Sequence, residues 1–343
     1  MHHSGLFSVL GLSLLLALPA CAPGANSAGA ASPSAMSSSD AQAFVTDVQR
    51  QRGLPTPAPV SSIADVLEVL AVDQTARFRD AESLVAGKPG VDALTLHASL
   101  ELAWSDDFTT LSLILDELGK RADVEVKRLT ARREAGGALS AKEAKDLEQN
   151  QRNAEFDVKA KAALEVLAQD HLHAAGLVVA EANRQFPKDP LTKRVVAYHA
   201  LLSGEWLEFD AAIGSLNDIE AKDAGLIYLR ALESLSRFGV RKDAAALLER
   251  VLQINPQMVR AQAKLALVED GIDAKYAEFE KLKALAPQHA IVWLAGPSIT
   301  SDYELSASFR KARAERQSGM PEAPAASAPA APPPVAAPPS ATP

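Results

Sequence analysis

Cysteine is almost absent from this chain: a single thiol, Cys21, serves 343 residues. No intramolecular disulfide can form, so the fold must hold by packing. Aromatic residues make up only 5%, and β-branched runs are few, which favours helix over strand. Basic charge is not in excess either. Thirty-five Lys and Arg stand against 43 Asp and Glu, for a net charge of −8 and a pI near 5.5. That balance argues against a nucleic-acid partner and mainly supports solubility.

Recognisable catalytic patterns are missing as well. There is no G-x-S-x-G, no G-x-G-x-x-G and no H-E-x-x-H. Ser308 to Lys311, "SFRK", matches S-x-x-K, but no K-T-G accompanies it. Ala86 to Gly90, "AGKPG", lacks phosphate-loop spacing and reads as a turn between helices. His97, His171, His173, His199 and His289 lie beyond the first segment. The pair in "DHLH" is two residues apart, so on a helix the rings diverge by about 200°. The expectation is no catalytic residue, no metal site and no cofactor, hence not an enzyme. Asp106 and Asp107 read as a helix cap rather than an acid/base pair.

What is present is helical periodicity through most of the chain, which predicts an all-α fold. Ile63, Val66, Leu67 and Leu70 recur at i, i+3, i+4, i+7 spacing. Leu96, Leu100 and Ala103 form a second face; "WSDDF" then reads as a turn before Leu111, Ile114, Leu115 and Leu118. Around Ala135 to Gly137 two long helices are predicted, from Asp107 to Glu134 and from Ser140 to Glu181. Ser140 and Glu143 make a capping box for the second. Lys120 to Glu134 carries six basic and three acidic residues, and Lys142 to Asp157 three basic and five acidic. Opposite bias suits an antiparallel hairpin, protruding over residues 119–161, with a seam of Val126, Leu129, Leu147, Ala154 and Val158.

The ends have a different character. Leu6 to Leu18 is apolar but too short to span a membrane, and Pro19, Ala20 and Cys21 follow. Leu18-Pro19-Ala20-Cys21 resembles the lipobox of a bacterial lipoprotein signal peptide. The resemblance implies cleavage after residue 20, a lipid on Cys21 and acylation of the new amino terminus. By the same resemblance, Ala22 in place of Asp points to the outer membrane. Ala22 to Ser39 is uncharged and almost entirely Ala, Ser, Gly and Pro, the composition of a flexible tether extending towards residue 60. Residues 318–343 form a Pro/Ala-rich tail, expected to be disordered and extended. A repeat domain is expected over residues 61–317.

Within it, Gly225 to Trp293 resembles tetratricopeptide repeats. Gly239, Ala244, Leu248 and Pro256 stand at the turn glycine, the small residue, the large packing residue and the terminal proline of such a unit. Tyr228 occupies the aromatic position of the first helix. Leu265 and Ala266, then Phe279, Pro287 and Trp293, continue the pattern. Upstream, Gly204, Trp206 and Ala211 keep a weaker likeness, and the segments around Ala98 and Leu115 keep a helix-pair rhythm. The resemblance implies an α-solenoid whose concave groove, expected around Tyr228, Arg260 and Lys264, takes a protein or peptide partner. Two readings of function stay open: a membrane-anchored periplasmic scaffold in cell-envelope assembly, or a glycan-binding accessory subunit. Exposure of Trp104, Trp206 and Trp293 on one face distinguishes them, because glycan grooves need aromatic surfaces.

Overall fold

Every regular element among the described residues is an α-helix. The computed structural model describes residues 36–51, 59–72, 78–216, 222–294 and a few positions between 296 and 307. Cys21, its flanking segment and the Pro/Ala tail lie outside them. The helices are α1 (Ser38–Gln51), α2 (Ile63–Val72), α3 (Phe78–Val85), α4 (Val91–Glu134), α5 (Ala141–Gln185) and α6 (Pro190–Ser203). They continue with α7 (Trp206–Gly214), α8 (Ala224–Ser236), α9 (Arg241–Ile254), α10 (Val259–Val268), α11 (Ile272–Leu285) and α12 (Ala290–Leu294).

Local chemistry explains many of the boundaries. Ser140 caps α5 through a full capping box with Glu143, as the spacing predicts. Asp189 caps α6, with Pro190 at its first position, and Gly204 closes it in the left-handed region. Asp223 accepts from Leu226 N–H to cap α8. Gly239, at φ 67°, supplies the tight turn from α8 into α9. "AGKPG" is the turn between α3 and α4, with Gly87 and Gly90 both at positive φ.

The largest departure from expectation lies in α4. "WSDDF" is no turn: α4 runs unbroken for 44 residues, about 66 Å. Ala98 and Leu115 therefore belong to one helix, not to a pair. Leu100 through Phe108 are nine consecutive buried residues, so the helix is covered on every side. One core cluster packs Leu100, Trp104, Phe108 and Leu111 against α1, α2, α3, α5, α10 and α11. The other packs Ala98 and Leu102 with α6 to α9, the C-terminal half of α5 and the far face of α10. The successive pairs α6 with α7, α8 with α9 and α10 with α11 pack as neighbours, and α10 also touches α2. The pairs are thus gathered along α4 rather than standing as a free row.

Other expectations shift in register. The tether was drawn to residue 60, yet Ser38–Gln51 form α1, which packs on α5 with Phe44 5.9 Å from Phe156. In α2 the buried positions are Val66 and Val69, while Ile63 and Leu67 face outward. In the repeat-like part, Ala244 and Leu248 are fully buried, as are Ala266 and nearly all of Phe279. Each fully buried leucine contributes roughly 1.5–3 kcal/mol. Pro256 and Pro287 sit in the turns just past α9 and α11.

The α4–α5 hairpin is thinly cored at its far end, with Ala122, Leu129 and Leu147 buried. Most of its ion pairs among the described residues lie within one helix, as in Lys127–Asp123, Arg128–Glu125 and Arg152–Glu148. Arg132–Glu143 and Lys161–Asp116 cross between the arms. Val158 does not join the seam; it is exposed, and its neighbour Asp157 is buried instead, 8% exposed. Counting 3 from Ala154 and 3 on to Ala160 puts position 157 inward, so the seam follows the helical period and not hydrophobicity. Asp157 faces Gly119, where an added Cβ would meet the Asp157 Cβ at 3.4 Å. Burial pushes its carboxyl up to about 6.

A raised carboxyl pKa means that the folded state binds the extra proton, so stability is lost as pH rises from about 4 through 6. The variant Asp157→Asn should match wild type in melting temperature near pH 4 and exceed it by a few degrees at pH 7.5. Thermal melts at both values check this; an equal gap at the two pH values would show that burial leaves the Asp157 pKa unshifted.

Candidate functional site

Two carboxylates adjacent on a helix point about 100° apart, so Asp106 and Asp107 serve different neighbours. Both are buried at the middle of α4. Arg260 and Lys264, one turn apart on α10, reach them together. Arg260 donates from Nε and Nη2 to the two oxygens of Asp107 at 3.1 Å each, the fork geometry that suits guanidinium. Lys264 Nζ lies 2.7 Å from Asp106 Oδ1 and also donates to Thr110 Oγ1. Tyr228 of α8 and Tyr198 of α6 both donate to Asp106 Oδ2, at 2.8 and 3.0 Å.

This node joins α4, α6, α8 and α10 with two anions and two cations, so its charge cancels. Leaving either member alone would strand a charge in the interior, which is far costlier than burying the pair. Burial pushes the Asp106 carboxyl up, but Lys264 and Arg260 nearby, with the bonds from Lys264 and Tyr228, outweigh it and hold the group below its ordinary value. Burial and the Asp106 charge push both tyrosine phenols well above their usual range, so they remain donors. Asp106 is therefore held as a carboxylate and the two phenols as its donors.

Beside the node lies a cavity of about 170 Å³. Lys264, Asp106 and Thr110 form its polar patch, and Leu113, Leu202, Leu232 and Ile272 are among its apolar walls. Glu117, Arg121 and Lys275 also border it. Its size is close to that of cavities which accept a small apolar group.

The residues expected to form an open groove are placed differently. Tyr228 and Arg260 are buried in the node, at 2% and 7% exposure, and do not present a surface. Only Lys264 of the three reaches the cavity wall. The reason is Asp106 and Asp107, which lie inside α4 rather than at a cap and draw Tyr228 and Arg260 inward. Tyr198, Thr110 and both aspartates were missed as site residues. A usable signal was there, since the apolar spacing continues through "WSDDF" without a glycine or proline to end the helix.

Leu265 is buried in the cluster shared by α6 to α10, and Trp293 is half-buried against the other core. Trp104 is buried and Trp206 half-buried, so none of the three tryptophans is exposed. His289 is buried and accepts from Ile291 N–H, His199 lies against Gly176, and His173 is exposed. His97 and His171 converge instead on Glu101, five residues before Asp106.

Replacing Asp107 by Ala should destabilise the protein by about 3–5 kcal/mol, because Arg260 loses its bidentate partner while still buried. The double variant Asp107→Leu with Arg260→Met should recover most of that loss. Urea unfolding of the three proteins tests it; a loss under about 1 kcal/mol in Asp107→Ala would mean that the pair is solvated.

Comparison with protein-family models, with curated proteins and with solved structures found no match for this chain.

Proposed function

We propose that the chain is a lipid-anchored adaptor of the bacterial cell envelope, without catalytic activity, which captures a protein partner through the cavity beside α4. The observation that carries this reading is the cavity itself. Its walls are largely apolar, its polar patch is already neutralised by the Lys264–Asp106 pair, and about 170 Å³ suits one apolar side chain of a docking helix or peptide. Asp106, held below its ordinary carboxyl range by Lys264 and Arg260, is not poised to shuttle a proton, which supports a binding role over catalysis. A tetratricopeptide-like array is supported by Gly239 at positive φ, by Ala244 and Leu248 at the buried helix contact, and by prolines just past α9 and α11. A glycan groove would need exposed aromatic faces, and the tryptophans offer none. Anchoring rests on the lipobox-like Leu18 to Cys21, and the uncharged segment between Cys21 and α1 has the composition of a flexible tether to the membrane.

Two outcomes are expected. Cys21→Ala should leave the protein out of the detergent phase, where wild type partitions; mass spectrometry finding a bare thiol on a processed wild-type chain would contradict the anchor. For the cavity, a photo-crosslinking residue at Leu118, on its wall, should give a defined adduct in envelope preparations. The same residue at Leu207, 87% exposed on α7, should not. Leu113→Trp, which fills the cavity, should abolish the Leu118 adduct while helical content and melting temperature hold. Adducts from Leu207 alone, or an undiminished adduct with Leu113→Trp in place, would move the binding site elsewhere.

A further inference from the structure

The long helix α4, the spine of the fold, carries a second, partly buried cluster about one and a half turns before Asp106. His97 and Glu101 lie one turn apart on α4, and Glu82 reaches them from α3. One ligand atom from each lies within 4.8 Å of the other two. His97 Nε2 is 3.7 Å from Glu101 Oε1 and 3.8 Å from Glu82 Oε1. Both gaps are too long for hydrogen bonds. They are close to the separation of about 3.3–3.5 Å that two ligands take around one tetrahedral zinc, at bond lengths of about 2.0–2.1 Å.

Glu101 is the decisive residue. Its side chain is 3% exposed, and its two oxygens meet different imidazoles: Oε2 lies 2.7 Å from His171 Nδ1 of α5, and Oε1 lies 3.7 Å from His97 Nε2. Oε1 is aimed into the gap shared with His97 and Glu82. His171 is itself held in place, stacked on Trp104 with ring centroids 4.0 Å apart. A buried carboxylate turned by a fixed imidazole towards an imidazole and a second carboxylate is the arrangement of an oriented metal ligand with its supporting hydrogen bond. Among the described residues, the ionisable side chains that meet here are Glu82, His97, Glu101 and His171, from α3, α4 and α5. The imidazole selects a first-row transition ion over calcium or magnesium, which take oxygen ligands.

We propose that Glu82, His97 and Glu101 form a zinc-type metal site, with His171 as the positioning residue for Glu101. Three protein ligands leave a fourth position for water or for a group brought by a partner. Because Glu82 comes from α3 and the other two from α4, the ion clips α3 onto the spine, so metal binding adds directly to stability. This site is independent of the cavity and of the adaptor reading.

The test uses the full chain in detergent, freed of metal by a chelator, and titrated with zinc alone by calorimetry. One zinc per chain is expected, with a raised melting temperature. Glu82→Gln, at a half-exposed position that tolerates change, and His97→Gln should each weaken binding by about 100-fold or more. His171→Gln should weaken it by about 10-fold, the size of a supporting-shell effect. His173→Gln, at the exposed histidine two residues on, should bind as wild type does. No zinc uptake by folded wild type at micromolar concentration would overturn the site, as would full affinity in Glu82→Gln and His97→Gln together. A response to calcium but not to zinc would also overturn it.

Discussion

The contact between Asp106–Asp107 and Arg260, Lys264, Tyr198 and Tyr228 decides how the rest of this molecule is arranged. Helix α4 alone cannot bury two carboxylates; it needs cations and donors from elsewhere in the chain. Those come from α6, α8 and α10, which stand 92 to 158 residues further along. Satisfying the pair therefore forces three successive helix pairs to line one side of a single long helix. Apolar packing supplies most of the stabilisation, but it is less selective. Leucine and alanine faces can slide by a turn, whereas a fork from Arg260 onto Asp107 accepts one register.

That constraint separates what was legible in the sequence from what was not. Features set within a few residues were legible. The Ser140–Glu143 capping box, the turn at Ala135 to Gly137, the left-handed Gly239 and the buried Ala244 and Leu248 all follow from local spacing. The centre of α4 was illegible for the opposite reason. Adjacent aspartates usually mean an exposed cap, and nothing within a turn of them announces their partners. The expected groove is displaced by the same residues, since Asp106 and Asp107 draw Tyr228 and Arg260, placed in a concave groove by the repeat resemblance, into the interior. Asp157 shows the third kind of failure: Val158 is the more hydrophobic residue, yet the helical period puts its neighbour in the seam.

The two polar clusters on α4 also divide its length by task. Around Glu101 the helix meets α3 and α5; around Asp106 it meets α6, α8 and α10. Beyond the cavity the hairpin thins, its ion pairs largely local and its seam interrupted by Asp157. Stability should therefore fall from the middle of α4 towards Glu134, as in other proteins whose local opening follows contact density.

Native-state hydrogen exchange over Leu100 to Ser112 tests the central claim most directly. A buried, uninterrupted helix held by the node should exchange there only through global unfolding, making these the slowest amides in the chain, well behind Val124 to Glu134. Fast exchange at Asp106 to Phe108, with protected segments on either side, would show a turn at that point and contradict the account.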